Sequence, residues 1–205
     1  MVYNNFLLRL LLSTLFISVY IVLSYINFNY VFYLILLIYL LVCIEIYINF
    51  KSYKLIPIVY IFISLIFFIT INFNNEIFLK FNLFILIVVS FDIFSYVFGK
   101  SFGRNKLLKI SPNKTYEGLF GGILLSLLLS LLFSYKFNIN INVNLIIFIL
   151  LIIISAFIGD IIESYFKRKN NIKNSSQLIP GHGGVFDRFD SFIFSIIIYS
   201  ILNNI

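Results

Sequence analysis

The sequence predicts an all-α, polytopic membrane protein with about seven transmembrane helices. Its 205 residues are 61% hydrophobic and only 11% charged, with a mean hydropathy of +1.06. A soluble domain of this size is about a quarter charged. The apolar residues also fall into runs long enough, or nearly so, to cross about 30 Å of hydrocarbon. We therefore expect one integral-membrane domain over residues 1–205, with little mass outside the bilayer.

The predicted spans follow directly from these apolar runs. They are Phe6–Ile26, Tyr30–Asn49, Leu55–Ile71, Ile77–Phe98, Glu117–Phe133, Leu145–Phe166 and Val185–Leu202. No small-residue cleavage site follows the first run at a convincing place, so we expect a retained anchor and not a cleaved signal peptide. The segment Asn138–Asn144 alternates polar and apolar residues as a strand does, but it is short and lies between two spans. We interpret it as a loop.

The basic residues fix the expected orientation. If the N-terminus is cytoplasmic and each span crosses once, 13 of the 15 Lys and Arg residues face the cytoplasm, and only Lys80 and Lys136 lie on the far side. Lys and Arg are enriched in cytoplasmic loops of membrane proteins. We therefore expect a multi-pass protein of the cell (inner) membrane, with its N-terminus and active site facing the cytoplasm.

Glycines and acids concentrate in the second half of the chain. All nine glycines lie between Gly99 and Gly184, and six of the eight acidic residues lie at or after Asp92. The single cysteine, Cys43, excludes a disulfide within the chain, and no Cys/His metal cluster exists. We interpret residues 1–76 as scaffold spans and residues 77–205 as the catalytic spans and loops.

The stretch SPNKTYEG, residues 111–118, precedes one predicted span. Ser111, Lys114, Thr115 and Glu117 precede the span, and Ser or Thr followed by Glu at a helix start is a capping pattern. A helix start also presents free backbone N–H groups, which suit a phosphate. We therefore expect Ser111, Lys114 and Thr115 to hold a phosphate of a nucleotide or a lipid.

Two further charged stretches lie at predicted helix ends. Asp160, Glu163 and Ser164 share one helix face, and Lys167 and Arg168 follow within a turn. The turn PGHGG, residues 180–184, leads into a helix with three charges at positions 187, 188 and 190. Ionisable residues within membrane spans are functional candidates.

The residue types favour phosphoryl or nucleotidyl transfer. Carboxylate oxygens suit Mg²⁺, which binds one or two carboxylates together with substrate phosphates, while Lys and Arg neutralise the remaining phosphate charge. A phosphate nucleophile is already anionic, so a chain with one histidine suffices. Glu45 has a plain alternative as an acid that snorkels or pairs near a helix end, and His182 has one as a turn residue. A transporter is disfavoured because the acids cluster at one membrane face.

At these residues the sequence resembles the phosphatidate cytidylyltransferase (CDP-diacylglycerol synthase) family. That family's signature reads S-x-x-K-R-x4-K-D, then about five residues, then P-G-H-G-G-x-x-D-R-x-D. The positions that match it here are Ser164, Lys167, Arg168, Lys173, Pro180, Gly181, His182, Gly183, Gly184, Asp187, Arg188 and Asp190. The motifs at Gly159–Ser164 and Ser111–Gly118, and the residues Asp92, Tyr96, Gly99 and Gly103, also agree. One position departs, because Asn174 stands where the family has Asp.

The resemblance implies that CTP and phosphatidate, a membrane lipid, react to CDP-diacylglycerol and pyrophosphate. It implies Mg²⁺ as cofactor, with or without a monovalent cation, and it suggests a homodimer; no nucleic-acid partner is expected. The implied metal ligands are Asp160, Asp187 and Asp190, and the implied catalytic residues are Lys167, Arg168, Lys173, Asp187 and Arg188. The implied substrate-binding residues are Ser111, Lys114, Thr115, Ser164, Gly181, His182, Gly183 and Gly184.

Two alternatives to this function remain open at the level of sequence. A CTP-dependent membrane kinase acting on a polyprenol-type lipid would use the same residue types but release CDP instead of pyrophosphate. A non-catalytic relative is the other alternative, and Asn174 is its only support in the sequence.

Overall fold

The computed structural model describes residues 18–51, 53–71, 75–108, 110–112, 114–178 and 183–203, and these residues form seven helices. Residues 18–26 are the described part of helix α1. The other helices are α2 (Phe28–Asn49), α3 (Leu55–Ile69), α4 (Asn75–Phe102), α5 (Tyr116–Lys136), α6 (Val143–Lys169) and α7 (Phe186–Asn203). An isolated antiparallel bridge joins Lys106 and Thr115, Gly183 also takes part in a bridge, and the residues just given contain no longer strand. The predicted all-α class is confirmed.

Four of the helices are long and apolar enough to cross a membrane: Phe28–Asn49, Ile77–Phe102, Tyr116–Lys136 and Val143–Lys169. They indicate a multi-pass membrane protein. Helix α3 is apolar but shorter, and α7 carries three charged side chains in its first turns. Seven crossings therefore stay a prediction, and most of the first predicted span, Phe6–Ile26, lies outside the described residues.

The observed helix ends differ from the predicted ones by a few residues. Helix α6 begins at Val143, inside the predicted loop, because Asn142 Oδ1 accepts a hydrogen bond from the N–H of Leu145 at 2.9 Å and caps the helix. The rest of that loop is irregular and contains no strand. Helix α4 continues past Phe98 to Phe102, and Gly99 within it lies close to α5, since a Cβ there would be 3.7 Å from the Cα of Gly118.

The chain divides into two compact units. The first unit takes in the described residues of Met1–Ile66 together with Phe166–Phe189. In it, Tyr39 of α2 and Ser64 of α3 share a buried hydrogen bond of 2.5 Å between their hydroxyl groups. The ring of Tyr60 packs edge-on against Phe166, with 5.7 Å between centroids. This unit therefore joins α2 and α3 to the end of α6 and the start of α7.

The second unit comprises Phe67–Tyr165 and Asp190–Ile205. Its aromatic core is centred on Tyr199, whose ring centroid lies 4.7 Å from that of Phe84 and 5.7 Å from that of Phe81. Helices α4 and α5 pack closely along their lengths. One face of α5 is made of small buried residues at four-residue intervals, namely Gly118, Gly122, Ser126, Ser130 and Ser134. The prediction of a single membrane domain is not decided by this division and stays a prediction.

Candidate active site

The turn between α4 and α5 holds Lys114 in place. Thr115 caps α5, since its Oγ1 accepts a hydrogen bond from the N–H of Gly118 at 3.1 Å, so the predicted cap is confirmed. Gly103 makes room for it, because a Cβ there would lie 2.8 Å from Thr115 Oγ1. Glu117 does not complete a capping box; it accepts hydrogen bonds from the backbone N–H of Asn105 at 3.2 Å and from its side-chain amide at 3.1 Å.

The ammonium group of Lys114 forms an ion pair and hydrogen bond with Asp160 of α6. The two side chains are 21% and 22% exposed, so water screens the pair only in part. The same ammonium lies 4.9 Å from the ring centroid of Phe157, one turn earlier on α6. Two residues that sequence analysis assigned to different roles are thus in direct contact.

Ser191 of α7 connects Asp160 to a second acid. Its Oγ lies 3.0 Å from Asp160 Oδ1 and 3.0 Å from Asp92 Oδ1. The carboxyl of Asp190 lies within hydrogen-bonding distance of Asp160. It also interacts electrostatically with Asp92 and Glu163. We call Asp92, Lys114, Asp160, Asp190 and Ser191, together with Glu163, the acid cluster.

The donor chemistry of the acid cluster fits a divalent cation. The cluster brings together four carboxyl groups, one of which pairs with the ammonium of Lys114, and carboxylate oxygens are the ligands that Mg²⁺ prefers. The carboxylates are nevertheless not arranged as a finished metal site. Among the residues that the structure describes, no three His, Cys, Asp or Glu side chains converge closely enough to hold a metal ion as they stand.

The predicted residue Asp187 lies in the first unit, and its oxygens are already engaged. Its Oδ1 accepts from the ammonium of Lys167 at 2.8 Å. Its Oδ2 accepts from the N–H of Gly184 at 2.8 Å and from the N–H of Ser175 at 3.0 Å. Only 8% of the Asp187 side chain is exposed. Asp187 therefore ties together the two ends of the loop that runs from Ser175 to Gly184.

The glycine-rich turn needs its glycines at the two described positions. Gly183 has a φ of 88°, and a Cβ on it would lie 2.5 Å from Asp187 Oδ2. Gly184 is buried, and a Cβ there would overlap Glu45 Oε1 and Ser175 Oγ. Gly181 and His182 lie outside the described residues. The two described glycines thus allow close approach of the backbone to side-chain oxygens.

The other predicted residues are placed as follows. Arg168, Lys173 and Arg188 are exposed in the first unit, and Ser111 and Ser164 are half-buried in the second. Their proposed roles stay predictions. Sequence reasoning missed three residues of the acid cluster and of the contacts around Asp187. Glu45 was interpreted as more plainly structural, and Ser175 and Ser191 were not considered. Ser191 directly follows the last acid of the signature, which was the one available signal.

Long apolar helices with carboxylates and lysines paired at their ends define a polytopic membrane protein. The chain belongs to the cytidylyltransferase family, whose sequence profile matches residues 2–205. Membership of this family indicates a nucleotidyltransferase enzyme.

Three relatives show how far the sequence similarity extends along this chain and along theirs. The phosphatidate cytidylyltransferase of Rickettsia bellii is 38% identical over 152 residues, covering 70% of this chain and 64% of that protein. The phosphatidate cytidylyltransferase of Staphylococcus epidermidis is 41% identical over 120 residues, covering 57% of this chain and 46% of that protein. The uncharacterized protein YnbB of Escherichia coli is 42% identical over 105 residues, covering 51% and 35%. The chain therefore spans less than two thirds of the length of these relatives.

Proposed function

We propose that this chain transfers CMP from CTP to phosphatidate, giving CDP-diacylglycerol and pyrophosphate for phospholipid synthesis. The observation that carries the proposal is the acid cluster, in which a lysine fixed at a helix start contacts an acid of a membrane helix. The signature residues and the relatives named phosphatidate cytidylyltransferase support the same assignment.

In the proposed reaction an oxygen of the lipid phosphate attacks the α-phosphorus of CTP. A new P–O bond forms, the bond from the α-phosphorus to its bridging oxygen breaks, and pyrophosphate leaves with that electron pair. The nucleophile is already an anion, so the protein's task is to position two phosphates and to stabilise charge. Lys114 is suited to this, because its ammonium is held at the start of α5, where backbone N–H groups also favour an anion.

Asp160 and Asp190 are the proposed Mg²⁺ ligands in the acid cluster. A bound Mg²⁺ would supply Lewis-acid charge neutralisation to the phosphates. A contribution from Asp187 stays a prediction, since its oxygens already accept hydrogen bonds from Lys167 and from backbone N–H groups. The resemblance assigns the triphosphate to the basic signature residues, and that assignment also stays a proposal; they are Lys167, Arg168, Lys173 and Arg188.

The proposal is tested with purified protein in detergent, phosphatidate, Mg²⁺ and CTP labelled at the α-phosphate. We expect the label to enter the lipid fraction with release of pyrophosphate. Release of CDP with an unlabelled, phosphorylated lipid alcohol, once such an alcohol is supplied, would instead establish the kinase alternative. No transfer to any lipid would overturn both.

The role of Lys114 gives the same assay a matched pair of variants. Lys114→Met removes the cation that pairs with Asp160, and we expect turnover to fall about a hundredfold, since a half-buried acid is left without its partner and the phosphates lose a fixed cation. Lys136→Met is the control, because Lys136 is an exposed lysine at the far end of α5. Equal turnover in the two variants would contradict the place of the acid cluster in the reaction.

A further inference from the structure

Glu45 of α2 is a buried acid that binds the backbone at the start of α7. Its side chain is 0% exposed. Its Oε2 accepts hydrogen bonds from the N–H of Val185 at 2.7 Å and from the N–H of Phe186 at 3.4 Å. Val185 immediately precedes α7 and Phe186 is its first residue, so both N–H groups lie at the helix start, where a helix offers donors with no partner inside the helix. A carboxylate there is also favoured by the helix dipole.

The second oxygen of Glu45 faces the loop before the glycine-rich turn. Glu45 Oε1 and Ser175 Oγ are both buried, and a Cβ on Gly184 would overlap both of them. The absence of a side chain at Gly184 is therefore what lets the carboxylate of α2 approach the backbone of the turn. Glu45 lies outside the segment that carries the signature, in a helix that sequence analysis assigned to the scaffold.

Two carboxylates together hold this part of the first unit. Glu45 takes the N–H groups of Val185 and Phe186, while Asp187 takes those of Ser175 and Gly184 and also pairs with Lys167. The two acids thus bind backbone on both sides of the glycine-rich turn. Without Glu45, Asp187 would be the remaining carboxylate of this pair that binds the backbone of the turn.

We infer that Glu45 is a positioning residue of the active site. It fixes the backbone of Gly184–Phe186 and thereby keeps Asp187 and Lys167 in the arrangement that the reaction needs. The inference rests on the proposed function for its catalytic consequence, but the contact between Glu45 and the backbone is testable without it. Glu45 acts through the turn and does not itself contact the substrate.

The first measurement is hydrogen–deuterium exchange of the backbone N–H groups of residues 183–187 in the full chain. We expect Glu45→Ala to speed exchange at Val185 and Phe186 by about tenfold, since a buried donor loses its acceptor. Glu45→Gln keeps one carbonyl oxygen for Val185 and should restore most of the protection. Tyr39→Phe is the matched control, because it removes another buried hydrogen bond of α2, the one to Ser64, and should leave these N–H groups unchanged.

The second measurement is kcat and KM for CTP with the same variants. We expect Glu45→Ala to lower kcat/KM about tenfold, with Glu45→Gln within about threefold of the native chain. Should Glu45→Ala not purify as a folded protein, Glu45→Asp carries the test, since it keeps the charge but is one methylene shorter.

The outcomes separate this inference from the proposed function. Unchanged exchange at Val185 and Phe186 in Glu45→Ala would overturn the contact itself. Faster exchange with unchanged kcat/KM would overturn the positioning role while leaving the function intact. A native chain that transfers no label would overturn the proposed function and with it the catalytic role of Glu45, whereas the exchange result would still decide whether Glu45 holds the turn.

Discussion

The hydroxyl of Ser191 lies 3.0 Å from a carboxylate oxygen of Asp92 and 3.0 Å from one of Asp160, yet it has one hydrogen to donate. It can therefore satisfy only one acid at a time. At the scale of single residues, this makes Ser191 the connection between α4 and α6 in the acid cluster. A proton on the second acid would supply the missing hydrogen, so that both contacts could be hydrogen bonds.

We predict that Ser191→Ala lowers turnover about tenfold, because a hydrogen bond to a charged group contributes about 1.5–3 kcal/mol. Ser195→Ala is the control. Ser195 is equally buried one turn further on, but its hydroxyl donates to the carbonyl of Ser191 within the same helix, at 2.6 Å. Turnover by label transfer and thermal stability are measured for both variants. An equal loss of turnover in Ser191→Ala and Ser195→Ala would contradict a role for Ser191 in the acid cluster.

Asn174 is the residue at which the chain departs from the signature, and its position suggests tolerance. It is exposed, and its Cβ lies 3.6 Å from where a Cβ of Gly183 would be. We predict an active native chain in which Asn174→Asp changes kcat by less than about threefold, since water screens an exposed charge. The check is the label-transfer assay over a range of Mg²⁺ concentrations. Transfer by Asn174→Asp alone would identify the native chain as a decayed or repurposed enzyme.

Sequence patterns identified residues that act locally and missed residues that act across the fold. A cap at the start of α5 was predicted from Ser or Thr followed by Glu, and Thr115 forms it through the N–H of Gly118, three residues away. The contact between Glu45 and Val185 spans 140 residues, and that between Ser191 and Asp92 spans 99. No spacing rule links such pairs, since they depend on how the helices pack.

At the scale of elements, the close packing of α4 against α5 is what positions the turn with Lys114. The small buried residues of α5 recur at four-residue intervals, which is the spacing of one helix face, and Gly118 and Gly122 among them lie against α4. In membranes, helices associate through such small residues because their backbones can then approach closely. A Cβ on Gly118 would lie 2.6 Å from the carbonyl oxygen of Ser95 and 3.0 Å from the Cα of Gly99.

We predict that Gly118→Ala destabilises the protein by about 1–3 kcal/mol through overpacking, although alanine is the better helix former by about 1 kcal/mol. The obstacle is backbone, which cannot rotate away as a side chain can. Leu128→Ala on the exposed side of α5 is the control. Thermal unfolding in detergent is the measurement, and a melting temperature for Gly118→Ala at or above that of the native chain would contradict this account of the packing.

At the scale of the whole molecule, apolar runs predicted six described helices to within four residues at each end, and the described part of a seventh. Length and hydropathy suffice for this, because a bilayer requires a minimum apolar length and an internally hydrogen-bonded backbone. The same reasoning does not decide whether α3 and α7 cross. Helix α3 has 15 residues, and α7 begins with the charges that the proposed chemistry uses.

The orientation of the chain is predicted from its basic residues and can be measured directly. If α4 and α5 each cross once, the loop between them, residues 103–115, lies on one side, and the loop of residues 137–142 lies on the other. The first loop contains Arg104, Lys106 and Lys114, so we predict that it is cytoplasmic.

Cys43 is the chain's single cysteine, so a Cys43→Ser background allows single cysteines to be introduced at Lys106 and at Asn140. In intact cells, a membrane-impermeant maleimide should label Asn140→Cys and should label Lys106→Cys only after the membrane is opened. The reverse pattern would put the acid cluster on the face away from cytoplasmic CTP, and labelling of both positions in intact cells would contradict a crossing by α5.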